Sequence, residues 1–208
     1  SLRTPQTILV ITCLITATAA YLWIATEGTF NPAKTYVKLV QNINGSTPYQ
    51  ALTDSLISGQ LHLNVKENNS RYGLWDMSYY NGRYYMYFTP VPAVTLYMPL
   101  KLLLNHNLHD LYAALFFISG TYLFSTLTLL KTSEYTGAPK LHVLFSSAAV
   151  AFGNGSLILL LESGVRCYEV AVASGIFFLY GGLYLQYTWL LTQRKTTLYP
   201  ILSGVFLG

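Results

Sequence analysis

Charge is what this chain has least of. Only 10% of its 208 residues are Asp, Glu, Lys or Arg, against about a quarter in a typical soluble domain, which excludes an ordinary water-soluble globule. The net charge of +4 is scattered between hydrophobic blocks and forms no basic stripe, so the pattern does not fit a nucleic-acid partner. Cysteine is almost missing too. Cys13 and Cys167 stand far apart, one inside an apolar run and the other at the edge of another, which gives neither a disulfide framework nor metal-ligand spacing. No internal repeat or low-complexity stretch is present. What replaces charge is hydrophobic surface (52%) and aromatic rings (15%, including 18 Tyr), a composition that suits membrane-interface belts and carbohydrate contact equally well. The chain starts without Met and stops inside the apolar run LYPILSGVFLG, which reads as the N-terminal portion of a longer protein.

The long apolar runs set the architecture. Residues 6–25 carry no charge and match the ~20 residues of a spanning helix. A signal peptide is the rival reading, but the run is longer than a usual h-region and ends in the interface-type anchor Tyr-Leu-Trp. Residues 111–130, 141–161 and 168–192 are long enough to span, and a further helix begins at Leu198. Residues 91–104 are the exception. They hold Pro92, Pro99 and Lys101, and at about 1.5 Å per residue they reach only ~21 Å of a ~30 Å hydrocarbon core.

The basic residues test that exception. If 91–104 does not cross, Arg3, Lys131, Lys140, Arg194 and Lys195 share one side, which the positive-inside rule makes cytoplasmic. The expected protein is therefore an all-α integral membrane protein of the plasma (inner) membrane, multi-pass, with a cytoplasmic N-terminus. A long outer loop, 26–110, carries surface elements, and 91–104 is an interfacial or re-entrant helix.

Within the loop, residues 48–58 show apolar positions at helical spacing between Pro48 and Gly59. This predicts an amphipathic helix on the outer membrane surface, with packing into the loop's own core as the alternative. Asn81 and Gly82 between aromatic runs predict a type I′ hairpin over 75–88. Its tyrosines offer ring faces to a sugar and phenol oxygens to its hydroxyls, although a single tyrosine more often serves as a headgroup-level anchor. The segment NHNLHD, with His106 and His109, reads as a solvated loop. Asn154, Gly155 and Ser156 read as a helix irregularity, and Gly181 and Gly182 as sites of close helix packing.

The chemical candidates are the acidic groups of the outer side. Asp76 opens the hairpin, Asp54 lies in the amphipathic helix, and Glu162 and Glu169 flank Arg166 in ESGVRCYEV. A lone carboxylate at a membrane boundary is usually structural. An Arg can nevertheless pair bidentately with phosphate, and a carboxylate can serve as general base for a hydroxyl.

Gly59, Gln60 and Leu61, then Trp75, Asp76, Ser78 to Gly82, Tyr84, Tyr85, Tyr87, Phe88 and Pro90 to Ala93, then Arg166, Tyr168 and Glu169 together form a pattern over most of the chain. It resembles a group of bacterial membrane proteins placed with the GT-C glycosyltransferase superfamily, the polyprenyl-phosphate-sugar-dependent mannosyl- or arabinosyltransferase-like enzymes. The resemblance implies a GT-C-like helical bundle with an outward active site. It also implies an inverting transfer from a lipid-linked sugar donor to a glycan, lipid or protein acceptor, with an acidic residue of the first outer loop as base. Two features depart from it. No carboxylate stands in Gly45, Ser46, Thr47 and Pro48 before Tyr49, and residues 89–92 lack the Lys-Pro-Pro of many relatives.

The expected roles follow from that resemblance. Asp76, and after it Asp54, would act as acid/base or orient the acceptor. Arg166 would contact the donor phosphate, with Glu169 orienting Arg166 or a divalent metal and Tyr168 beside them. Tyr79, Tyr80 and Tyr84 would line the sugar cleft. No cofactor is called for with certainty, and no metal ligand is assigned. The alternatives are a non-catalytic scaffold or lipid-linked-glycan binder of the same fold and, third, a transporter, which the near absence of intramembrane charge disfavours.

Overall fold

The computed structural model describes residues 4–31, 43–65, 74, 77–153, 165–192 and 197–208. It is mostly helical, with one small hairpin. Three helices are long and apolar enough to cross a membrane: α1 (Thr4–Ala25), α4 (Asp110–Thr136) and α6 (Cys167–Thr192). Each is apolar around its whole circumference rather than on one stripe, as a helix facing lipid and neighbouring helices must be. The chain is a membrane protein.

Shorter helices complete the bundle. Helix α5 (Lys140–Gly153) covers the start of the run expected to span over 141–161, whose remainder lies outside the described residues. Helix α7 (Leu198–Leu207) packs back on α6. Gly181 and Gly182 leave room there for the Phe206 and Leu207 side chains, and the Ser203 hydroxyl donates to the Gly182 carbonyl at 2.9 Å. The paired glycines thus serve close packing, as expected.

Side-chain pairs give the helix directions. Leu22 and Tyr112 line one groove, and Thr18 meets Ser119, while Val10 packs with Leu130. Helices α1 and α4 are therefore antiparallel. Phe117 stacks near Phe177, Phe124 near Tyr184, and Thr132 bonds Tyr187, so α4 and α6 run parallel. Tyr122 and Thr126 of α4 share the Ser147 hydroxyl of α5 at 2.6 and 3.0 Å, and Val143 joins Leu130, which makes α5 antiparallel to α4. The end of α1 and the starts of α4 and α6 consequently lie on one face of the bundle.

That face carries the loop elements. Helix α2 (Pro48–Ile57) starts after Thr47, whose backbone N–H is taken by the Gln50 side chain at 3.1 Å. Seven of its ten residues are buried, from Pro48 to Thr53 and Ser55. It packs into the core of the loop rather than lying as a surface float, because Gln50, Thr53 and Ser55 find partners that let a polar face be buried.

Strands β1 (Met77–Tyr80) and β2 (Arg83–Met86) pair antiparallel with Tyr80 opposite Arg83. Asn81 and Gly82, at φ of 50° and 79°, make the two-residue turn that both positive angles require. Helix α3 (Ala93–Leu104) opens with a π-helical turn over Ala93–Tyr97 and continues as α-helix over Met98–Leu104. Pro99 lacks an N–H for the ordinary ladder, and a wider turn just before it absorbs that loss. The α3 helix packs on α2, which holds it to the loop face.

Candidate functional site

The loop face is organised around Asp110. This carboxylate stands at the first position of α4, and its side chain is 1% exposed. Its Oδ1 accepts the Thr47 hydroxyl at 2.9 Å and the Tyr97 hydroxyl at 2.6 Å. One oxygen therefore ties together the start of α2, the π-turn of α3 and the start of α4. Negative charge at a helix N-terminus is stabilised by the helix dipole, and two donors compensate for its removal from water. Its Oδ2 has no hydrogen-bond partner among the described residues. Burial, reinforced by the neighbouring Asp110 charge, pushes the Tyr97 phenol well above its ordinary pKa, which keeps it a donor.

Two further contacts brace the cluster. The Tyr49 ring stacks on Tyr97 with centroids 5.6 Å apart, and its hydroxyl donates to the Thr89 carbonyl at 3.2 Å. Burial, then the nearby Cys167 and Asp110, raises the Tyr49 pKa. Gln50 donates to the Leu108 carbonyl at 2.8 Å. His109, read from the sequence as part of a solvated loop, is buried and caps α4: its Nδ1 accepts the Leu111 N–H at 3.0 Å. That reading is corrected for His109 and Asp110 alike. Burial lowers the His109 pKa, which favours the neutral ring that an acceptor nitrogen requires.

The residues singled out in the sequence fall into separate groups. Asp76 lies outside the described residues. Asp54 forms an ion pair with Lys101, joining α2 to α3. Glu169 is buried, and its Oε2 accepts the Arg166 backbone N–H at 2.7 Å. With Arg166 just before α6 and Glu169 three residues on, this is the reaching-back half of a capping box. Arg166 itself is partly exposed, and its buried Nε has no hydrogen-bond partner among the described residues.

The hairpin reaches α6 through its base rather than its tip. Phe88 meets the Tyr168 ring edge-on at 4.9 Å. Tyr84 is half-buried, packs against Tyr79 at 4.8 Å, and accepts a backbone hydrogen bond from Leu63 at 2.8 Å. Tyr79 and Tyr80, by contrast, are 64% and 73% exposed. The structure thus brings Tyr168, Glu169, Phe88, Tyr97 and Asp110 to one face, with Tyr79 and Tyr80 pointing outward beyond it.

Glu169 lies within electrostatic reach of Asp110, and these are the two buried carboxylates among the described residues. Arg166, tied to Glu169 through its backbone N–H, adds to the same segment one cationic side chain of a kind suited to phosphate. Among the described residues no group of three His, Cys, Asp or Glu side chains could hold a metal ion. Sequence reasoning passed over Asp110, Thr47 and Tyr97. The available signal was an Asp directly before a long apolar run, in a helix's first turn. No protein-family model, curated protein or solved structure matches this chain.

Proposed function

We propose that this protein is a GT-C-like membrane glycosyltransferase, moving a sugar from a polyprenyl-phosphate-linked donor to an acceptor at the outer face of the plasma membrane. The observation that carries the reading is the edge-on contact of Phe88 with Tyr168 at 4.9 Å. It joins the tyrosine hairpin to the Arg166, Tyr168 and Glu169 segment on the face that also buries Asp110. The orientation draws support from the opposite end of the bundle, where α4 carries Lys131 in its second half and α5 starts at Lys140, and where positive-inside logic places the cytoplasm.

In this reading Arg166 holds the donor phosphate, while Glu169 fixes the backbone from which Arg166 springs. A carboxylate takes the acceptor hydroxyl proton as the new bond to the sugar forms. The bond from the sugar carbon to the phosphate oxygen breaks, and the lipid phosphate leaves with the electron pair. Asp76 is the first residue assigned to that base. Asp54 is already paired with Lys101 and would have to leave that partner to accept a proton. Tyr84 and Tyr168 supply ring faces near the site, and the outward Tyr79 and Tyr80 meet an arriving acceptor.

A second reading, a lipid-linked-glycan binder without turnover, is favoured by one observation: Asp54 and Glu169 both hold structural partners. Sugar transfer from lipid-linked donors by the full-length protein separates the two. Asp76→Asn is expected to abolish transfer while leaving donor binding in place, and Arg166→Gln to weaken donor binding. Unchanged transfer in Asp76→Asn removes that residue from the mechanism, and donor binding without any transfer in the unmutated protein establishes the binder.

A further inference from the structure

Between α1 and α4 runs an apolar groove of about 450 Å³, open along one side, with Leu14, Leu22, Tyr112 and Phe116 in its walls. Of its three hydroxyl-bearing wall residues, two satisfy each other, since Thr18 donates to the Ser119 hydroxyl at 2.9 Å, and the third, Tyr112, stands at the loop-face mouth. The remaining surface is hydrocarbon. An engineered apolar cavity of about 150 Å³ stays dry and takes up a benzene, so a groove three times that volume has room for a longer hydrocarbon.

Its length identifies the occupant. From position 14 to position 22 the α1 wall rises ~12 Å, close to the ~15 Å that one leaflet contributes to the hydrocarbon core. The groove starts beside Leu22 and Tyr112, at the loop face. Farther from that face the helices close up, where Val10, Leu130 and Val143 are buried together. A neighbouring helix would cross both leaflets and is too thick, at about 10 Å, to enter a crease whose walls touch through a hydroxyl pair. A single hydrocarbon chain descending from one leaflet fits both the depth and the width.

We propose that the α1–α4 groove seats one acyl chain of a bilayer phospholipid from the loop-face leaflet. The headgroup stands level with Tyr112 and with Trp23, which is exposed at the end of α1, as interface anchors require. Because lipid tails are as apolar as the groove, retention comes from contact along the chain, not from escape of water.

The test uses the unmutated full-length protein in vesicles containing a phosphatidylethanolamine with a diazirine midway along one acyl chain. After photolysis, adducts on residues 14–22 and 112–120 are expected to exceed those on the equally lipid-exposed Leu179 and Leu183 of α6 by about tenfold, the ratio given by 1.4 kcal/mol of preference. Equal labelling overturns the proposal. So does labelling that spares the groove while marking α6, since protein then fills the crease. As a second arm, Leu14→Trp fills the groove and is expected to remove the excess, whereas Ile15→Trp, on the exposed side of α1, leaves it.

Discussion

Removing the Tyr97 hydroxyl should undock the loop from the helices without disturbing the helices themselves. Tyr97 and Thr47 both donate to the same Asp110 oxygen, at 2.6 and 2.9 Å, in a site where all three side chains are at most 3% exposed. A hydrogen bond to a charged group contributes about 1.5–3 kcal/mol. Tyr97→Phe keeps the ring and its stack on Tyr49, so its cost is expected within that range, with Thr47→Val at the lower end. The pair should not add: with one donor gone, Asp110 leans harder on the other, and the coupling should lie between about 0.5 and 3 kcal/mol. Equilibrium unfolding of the purified protein in mixed micelles, followed by tyrosine fluorescence and by helical circular dichroism, gives the four corners of the cycle. In Asp110→Asn the Tyr97→Phe cost should shrink, because a neutral amide oxygen accepts more weakly than a carboxylate. Costs below about 0.5 kcal/mol for both single variants, or strict additivity between them, would refute the role given to Asp110.

Two further outcomes are expected. His109 must be neutral to accept the Leu111 N–H, and its pKa is lowered by burial. Between its folded value and the ordinary value near 6.5 the unfolded chain binds more protons, so stability is full above about pH 6.5 and falls as the pH drops through the folded-state pKa. His109→Asn keeps a cap acceptor and should flatten the difference between melts at pH 7.5 and 5.5; an unchanged difference assigns it to other groups. Gly120 faces Phe177, and a Cβ there would sit 2.4 Å from the ring, inside a cluster with Phe117, Phe124 and Phe178. Gly120→Ala should therefore cost about 1–3 kcal/mol by overpacking, measured by the same unfolding assay, while Gly175→Ala, with open space at its Cβ, should cost none.

The features legible in the sequence are those with a local cause. Apolar length alone finds α1, α4 and α6, because a helix facing lipid needs no polar stripe to hide. Asn81 and Gly82 announce the hairpin turn through their tolerance of positive φ. Pro92, Pro99 and Lys101 mark α3 as a helix held at the loop face, where Lys101 does find Asp54. Helix α2 shows where local reading fails. Its spacing resembles a surface helix, yet Gln50 and Thr47 gain partners from residues about sixty positions away, and no window on the sequence contains both ends of those bonds.

Asp110 is the sharper case. In sequence it is one more polar residue of NHNLHD, and carboxylates at membrane boundaries are ordinarily solvated. Its burial depends on three elements arriving together: the turn before α2, the π-turn forced ahead of Pro99, and the start of α4. Each is plausible alone, but only their convergence excludes water. The parallel course of α4 and α6 then sets Glu169 within reach of the same point, although 59 positions separate the two residues in the chain. Two carboxylates buried close together on a polar face cost free energy unless donors meet them. Asp110 has Thr47 and Tyr97, and Glu169 has the Arg166 backbone. A fold that keeps both buried holds its acidic groups in fixed positions at the membrane surface, as directed proton transfer to or from a hydroxyl requires. If the chain is the transferase proposed above, Asp110 is a second candidate for its base alongside Asp76: loss of sugar transfer in Asp110→Asn, with the loop still docked by the fluorescence criterion, would move the base from the hairpin to the start of α4.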